Sequence, residues 1–163
     1  MEETERESAL GDDVEQRRRW MHALAIADSD ALAAAWQSWD PKPEVEVVRG
    51  PEAGLVMVRG RVDARGKKFN LGEATVSRAT VRLHGDALAA DVLGTSYVLG
   101  TDLEHARLAA IFDGLLADEA LRDRVFAEII APIEVGEIER DAARRADARA
   151  TLVDFFTVSR EHE

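Results

Sequence analysis

Four histidines are the side chains of this 163-residue chain best suited to proton transfer or zinc ligation. No two of them share an element at ligand spacing. His22 and His105 fall on separate predicted helices, His84 in a turn and His162 in the last residues, so a surface or structural role is the plainer reading of each. Cysteine is absent, which excludes a thiolate nucleophile, a thiolate zinc site and a disulfide framework. The chain has no glycine-rich loop closed by Lys-Ser/Thr, no dinucleotide fingerprint, no paired-histidine zinc helix, no calcium loop and no nucleophile elbow. Glu73 and Arg78, five residues apart around an interruption in a strand, are the best local polar pair, and a structural salt bridge is the plainer role for them. The residue types nominate no catalytic residue and no metal site.

The elements that would position any site read as helix, sheet, helix. Val14, Trp20 or Met21, Leu24 and Ala27 recur at helical spacing over 12–27, and Ser29 is suited to cap a second helix carrying Leu32, Ala35, Trp36 and Trp39 before "DPKP". From Glu44 the period becomes two: Val45 and Val47 alternate with acids, "GPEAG" reads as a turn, "LVMVRGRV" as a strand, "DARG" as a turn and "KKFNLGEATVSRATVRL" as a long strand interrupted at Gly72 and Glu73. "TSYVL" supplies a further strand. Thr101 and Glu104 fit a capping box for a helix with Leu108, Ile111, Phe112 and Leu115 on its buried stripe. Asp118 is placed to cap the next, with Leu121, Val125, Phe126, Ile129 and Ile130 facing inward until Pro132. The last helix offers Val135, Ile138, Ala142 and Ala146, too little apolar surface to hold it firmly to a core. The expectation is an α+β fold: an antiparallel sheet of about four strands, helices before and after it, and a long C-terminal helical arm. Residues 1–11 read as an acidic disordered N-terminus, 12–132 as a single α+β domain, and 133–163 as the arm and an interface tail.

With 46% apolar and 33% charged residues the chain has the composition of a globular protein able to bury a sizeable core. It has no apolar stretch long enough to span a membrane, and its acidic opening is unlike a signal peptide, so a cytoplasmic protein is expected. A net charge of -11 argues against nucleic acid and anionic membranes as partners, since both are bound mainly through Lys and Arg. The charge is uneven. Gly54 to Leu83 carries seven basic residues against two acids. Arg59, Arg61, Arg78 and Arg82 are candidates for a basic face toward an acidic partner or anionic substrate, against the simpler reading of a solvated strand face.

The segments "RRRWMHAL", "GLVMVRGRV", "FNLGEATVSRATVRL", "YVLGTDLEHARLAAIFDGLL", "APIE" and "VDFFTVSR", in this order, resemble the PhnG family, the G subunit of the bacterial carbon-phosphorus lyase core complex. The likeness runs from Trp20 to Arg160, and its most specific parts are the "FNLGEAT" strand with its following "SR" and "VRL", and the terminal "VDFFT". Two departures are visible: Thr101 stands where the family has arginine, and "GDALAADVLGTS" is longer than the usual connection. The resemblance implies an accessory subunit in phosphonate catabolism that acts with the H, I, J and K subunits, the I subunit most directly. Such a complex transfers a phosphonate to the ribose of a nucleoside triphosphate and displaces adenine. The chain would then be an enzyme only as a subunit of that transferase. The nucleoside triphosphate and Mg would belong to the complex, with no cofactor bound by this chain alone, and no catalytic residue carries over.

A partner also accounts for "TLVDFFTVSR". Chain ends carry polar residues unless something ties them down, yet Leu152, Val153, Phe155, Phe156 and Val158 follow the most charged helix of the protein. These five are candidate interface residues, where buried aromatics supply much of the association energy. The alternative is a stand-alone homodimeric ligand-binding or interaction protein without its own catalysis, which would hide the same segment by swapping arms between identical chains.

Overall fold

Leu108, Ile111, Phe112 and Leu115 are fully buried, as the stripe predicts, but so are Ala109, Ala110 and Leu116 on the same helix. A helix apolar on nearly every side belongs at the centre, and the rest of the chain is arranged around it. In the computed structural model, which describes residues 2–63 and 65–150 and side chains from Asp13 onward, the order is α1 (Glu2–Ile26), α2 (Ser29–Ser38), β1 (Glu44–Gly60), β2 (Phe69–His84), β3 (Val92–Leu99), this central α3 (Leu103–Ala117), α4 (Glu119–Val125), a π-helical turn (Phe126–Ile130) and α5 (Ala131–Ala150). On one side α3 packs against the sheet, where Ala79, Val81, Leu83 and Val98 are buried. Elsewhere it meets Trp20 and Leu24 of α1, Leu32 of α2, and Val125 and Ile130 after its own end. Trp36 and Trp39 both meet Phe112 edge-on with ring centroids 6.4 Å apart, so two of the three tryptophans seal the core.

Among the described residues the sheet has three antiparallel strands in the order β1-β2-β3, one fewer than the sequence suggests. "GPEAG" does not turn the chain. It lies inside β1, which pairs with β2 from Glu44 opposite His84 to Gly60 opposite Phe69 and absorbs the irregular stretch as register shifts on either side of Arg49. Gly50 takes a φ of 70°, and a Cβ there would stand 2.7 Å from the Arg78 carbonyl oxygen, so glycine is required. The interruption expected at Gly72 is present as a bulge, because Val58 faces Gly72 and Arg59 faces Asn70, leaving Leu71 without an opposite residue.

Helix starts fall one residue from two of the expected positions. Asp28, not Ser29, caps α2 by accepting from the Ala31 N–H at 2.9 Å, and Asp102, not Thr101, caps α3 by accepting from the His105 N–H at 2.8 Å. A carboxylate is the stronger acceptor at a helix N-terminus. Asp118 caps α4 as expected. Pro132 does not end the helical run. It lacks the N–H that would bond four residues back, and the π turn before it, in which the Ala131 N–H reaches Phe126, loosens the backbone where the ring would otherwise clash.

α5 buries no residue. Arg19 and His22 of α1 hold Glu134 and Glu137, the latter pair at 3.0 Å, with the same sequence offset, so the two helices run side by side in the same direction. α1 ends at Ile26, and beyond Asp141 every described residue of α5 is exposed. This is the expected arm.

Candidate interaction surface

The four arginines proposed as one basic face are divided by the fold. Arg78 and Arg82 stand where β2 has strands on both sides, and each reaches across to an acid on β1: Arg78 Nε to Glu52 at 2.9 Å and Arg82 to Glu46 at 2.9 Å. Arg49 adds a second bond to Glu52 at 3.0 Å, and the bonds from Arg49 and then Arg78 hold that carboxyl below its usual range. Much of their charge is therefore answered within the sheet. Arg59 faces Asn70, eight residues along β2 from Arg78, a separation of about 26 Å at strand rise. With Arg61 it belongs to the far end. Glu73 and Arg78 do not pair: Arg78 is taken by Glu52, and Glu73 faces Met57.

What the strand pattern conceals is how far β1 and β2 outrun the rest of the fold. β3 ends at Leu99, opposite Val76. Beyond that row, Leu55–Gly60 and Phe69–Thr75 continue as a two-stranded ribbon flanked, among the described residues, by no third strand. Leu55, Met57 and Leu71 are 64%, 50% and 61% exposed, and Val56, Val58 and Phe69 are exposed too. Alternation sends Leu55 and Met57 to one face and Val56 and Val58 to the other, so the ribbon is apolar on both. The run "LVMV", without alternating polarity, is the visible sequence signal of a strand apolar on both faces.

A second surface unpartnered among the described residues lies on α5. Its polar side grips α1 through Glu134 and Glu137, and the stripe meant for a core looks outward: Val135 is 56% and Ile138 69% exposed. Leu152, Val153, Phe155, Phe156 and Val158, the interface residues expected in the following segment, lie outside the described residues.

Concave sites offer little chemistry. An open cleft of about 120 Å³ between α2 and the π turn is lined by Ala31, Leu32, Ala35, Ile129, Pro132 and their neighbours. Another of about 200 Å³, between the end of α1 and the middle of α5, holds Glu137, Arg140, Asp141 and Arg144, with Arg140 bonded to the Gly136 carbonyl and Arg144 paired to Asp141. Neither unites a nucleophile with a base. Among the described residues no three His, Asp or Glu side chains converge as a metal site, and no helix is long and apolar enough to cross a membrane. His105, the one buried histidine among the described residues, lies 2.8 Å through Nε2 from the Leu24 carbonyl and so carries its proton there. It ties α3 to α1.

The most connected polar group is one the sequence reading passed over. Asp113 is fully buried in α3 and accepts from Arg17 Nη2 at 2.6 Å, Arg17 Nε at 3.3 Å, Trp20 Nε1 at 2.9 Å and the Thr95 N–H of β3 at 2.9 Å. An aspartate inside the apolar "AAIFDGLL" was the signal. Its ligands are all protein donors and saturate it, so its role is to lock α1 and the outer edge of β3 onto α3.

Residues 15–161 match the family described as phosphonate metabolism protein PhnG. A relative in Rhizobium meliloti (strain 1021), the alpha-D-ribose 1-methylphosphonate 5-triphosphate synthase subunit PhnG, is 49% identical over 148 residues, which cover 90% of each chain. The match takes in all of the sheet, the central helix, the arm and the aromatic tail, and on that extent this chain belongs to the PhnG family.

Proposed function

We propose that this chain is an accessory subunit of an alpha-D-ribose 1-methylphosphonate 5-triphosphate synthase in phosphonate catabolism, active only within its complex. The observation that carries the reading is the arm: α5 is held to α1 by its charged side while Val135 and Ile138 face solvent. A helix whose apolar stripe is turned away from its own core is placed to meet another chain. The I subunit is the partner assigned to it, with the H, J and K subunits completing the assembly, and Leu152, Val153, Phe155, Phe156 and Val158 extend the contact. The nucleoside triphosphate, its Mg and the reacting groups belong to the complex. This chain contributes architecture, ordering the surfaces that hold the catalytic subunit in its productive form.

The test is release of adenine from a nucleoside triphosphate and methylphosphonate, with the isolated chain, the isolated I subunit, and both together. The expected result is negligible turnover by this chain alone and turnover that requires its addition to the complex. Robust activity of the pure chain would overturn the reading. A stable homodimer that ignores the I subunit would favour the stand-alone alternative.

A further inference from the structure

The β1-β2 ribbon has properties the arm does not share. Its stem is apolar on both faces, and its tip is strongly basic: residues 59–68 include Arg59, Arg61, Arg65, Lys67 and Lys68 against the single acid Asp63. That acid is engaged locally, accepting from the backbone N–H groups of Arg65 at 2.9 Å and of Gly66. Among the described residues Arg59, Lys67 and Lys68 enter no ion pair, in contrast to Arg78 and Arg82 nearer the core. The bulge lays Leu71 across Gly60, where an added Cβ would meet its Cδ1 at 2.6 Å, so the last glycine of β1 makes room for an apolar side chain that is itself exposed.

From this juxtaposition we infer that the ribbon is a second docking element, separate from the arm, which inserts into an apolar groove rimmed by carboxylates on another subunit. The inference rests on the reading of the chain as a subunit but not on the arm. Charge and shape choose the occupant. An isologous contact between two copies repeats the same patch on itself, and that patch offers only Asp63 and Glu73 to answer a tip of net charge +4. A phosphate ligand answers the tip but leaves Leu55, Val56, Met57 and Val58 in water. An acidic protein groove answers both, with the basic tip guiding approach and the apolar stem supplying the buried contact.

The experiment reconstitutes the full chain with the I, H, J and K subunits and follows amide hydrogen exchange, with a photo-crosslinking residue at Val56 in parallel. Exchange across 55–60 and 69–75 is expected to slow at least about tenfold on assembly, the scale of a modest local stabilisation, and the crosslink to map to a partner segment containing Asp or Glu. K67E with K68E should weaken assembly of the full chain at low salt about tenfold, and less at high salt. L55S with L71S should weaken it further while leaving the melting temperature of the isolated chain unchanged. Four results overturn the inference: a complex that forms with the ribbon exchanging as fast as in the free chain, a crosslink to a second copy, a crosslink to the chain's own residues 151–163, or variants that assemble normally. If the wild-type chain enters no complex, the subunit reading falls with it; a complex with an unprotected ribbon removes the ribbon inference alone.

Discussion

Replacing Asp113 by alanine should damage the fold more than any other single polar change, and the structure permits the size to be worked. The carboxylate has four donors from three groups, and those groups differ in what they lose. The side chain of Arg17 is 43% exposed and can rehydrate, so its loss is discounted. Trp20 is only 4% exposed, and its Nε1 would be left without an acceptor. The Thr95 N–H, held on the outer edge of β3, would lose its acceptor too. An orphaned buried donor costs about 1–3 kcal/mol, and with a smaller share for the half-buried Thr95 the two together cost about 2–4 kcal/mol. For a chain of this size that corresponds to a fall in melting temperature on the order of 10 °C. Thermal unfolding of the dilute protein by circular dichroism measures it. A double-mutant cycle with Trp20→Phe, which removes one of the stranded donors, should recover about 1–2 kcal/mol of the penalty. A fall of under about 2 °C for Asp113→Ala, or strict additivity in the cycle, would show that water or a shifted backbone satisfies these donors and that the network does not fasten α1 and β3 to α3.

Other expectations follow from single contacts. Gly94→Ala should cost about 3 kcal/mol or more, because a Cβ there overlaps the Ala110 carbonyl oxygen and lies 2.6 Å from the Gly114 nitrogen, both of them backbone; Gly136→Ala, with nothing within 4 Å, should instead stabilise α5 by about 0.5–1 kcal/mol in the same melting assay. Asp102 is held below the usual carboxylate range, first by the His105 N–H and then by Ser29, and Glu104 likewise by Arg107. Because their folded values are depressed, the stability they contribute is present above the unfolded value of about 4 and lost as pH falls through the folded values. Asp102→Asn should therefore lower stability at neutral pH, where the carboxylate contributes, and flatten the acid limb of the stability–pH curve, so that variant and wild type converge as the pH falls below about 4. Phe155→Ala with Phe156→Ala is expected to reduce co-purification with the I subunit by about 2–4 kcal/mol while the isolated chain melts almost as before; a large loss of melting temperature in the monomer would mean that the tail packs on its own core.

Sequence patterns are informative where one side chain's surroundings are set by its near neighbours. The helical stripe 108–115, the strand alternation at Ala79, Val81 and Leu83 and the cap at Asp118 are local in this sense and match the structure. The strand count failed at "GPEAG" because glycine and proline mark both turns and bulges, and only the partner decides between them. Here β2 is long enough to pair along the whole of β1, so the chain continues. Pro132 misled for a similar reason, since the π turn that accommodates it depends on Ile129 and Ile130 being drawn into the core. The Arg17–Asp113 pair joins residues 96 apart, beyond any spacing rule. The exposure of the ribbon was hidden for the opposite reason: the residues of Leu55–Val58 look like core, and nothing in their order says that the core stops at Val76.

That contrast separates two kinds of constraint on one chain. The buried residues around α3 are filled by the chain's own helices and sheet, and changes there should be read first in melting temperature. The ribbon beyond Val76 and the arm beyond Ile26's end of α1 add no side chain to that core, although both keep the apolar character that burial favours. A two-stranded ribbon standing alone is marginal in water, and a helix with its apolar stripe in solvent gains little from tertiary packing. Their apolar residues work against solubility in the isolated chain. They make physical sense when the water-facing side is replaced by another polypeptide, so substitutions there should leave the isolated fold intact and be felt in assembly.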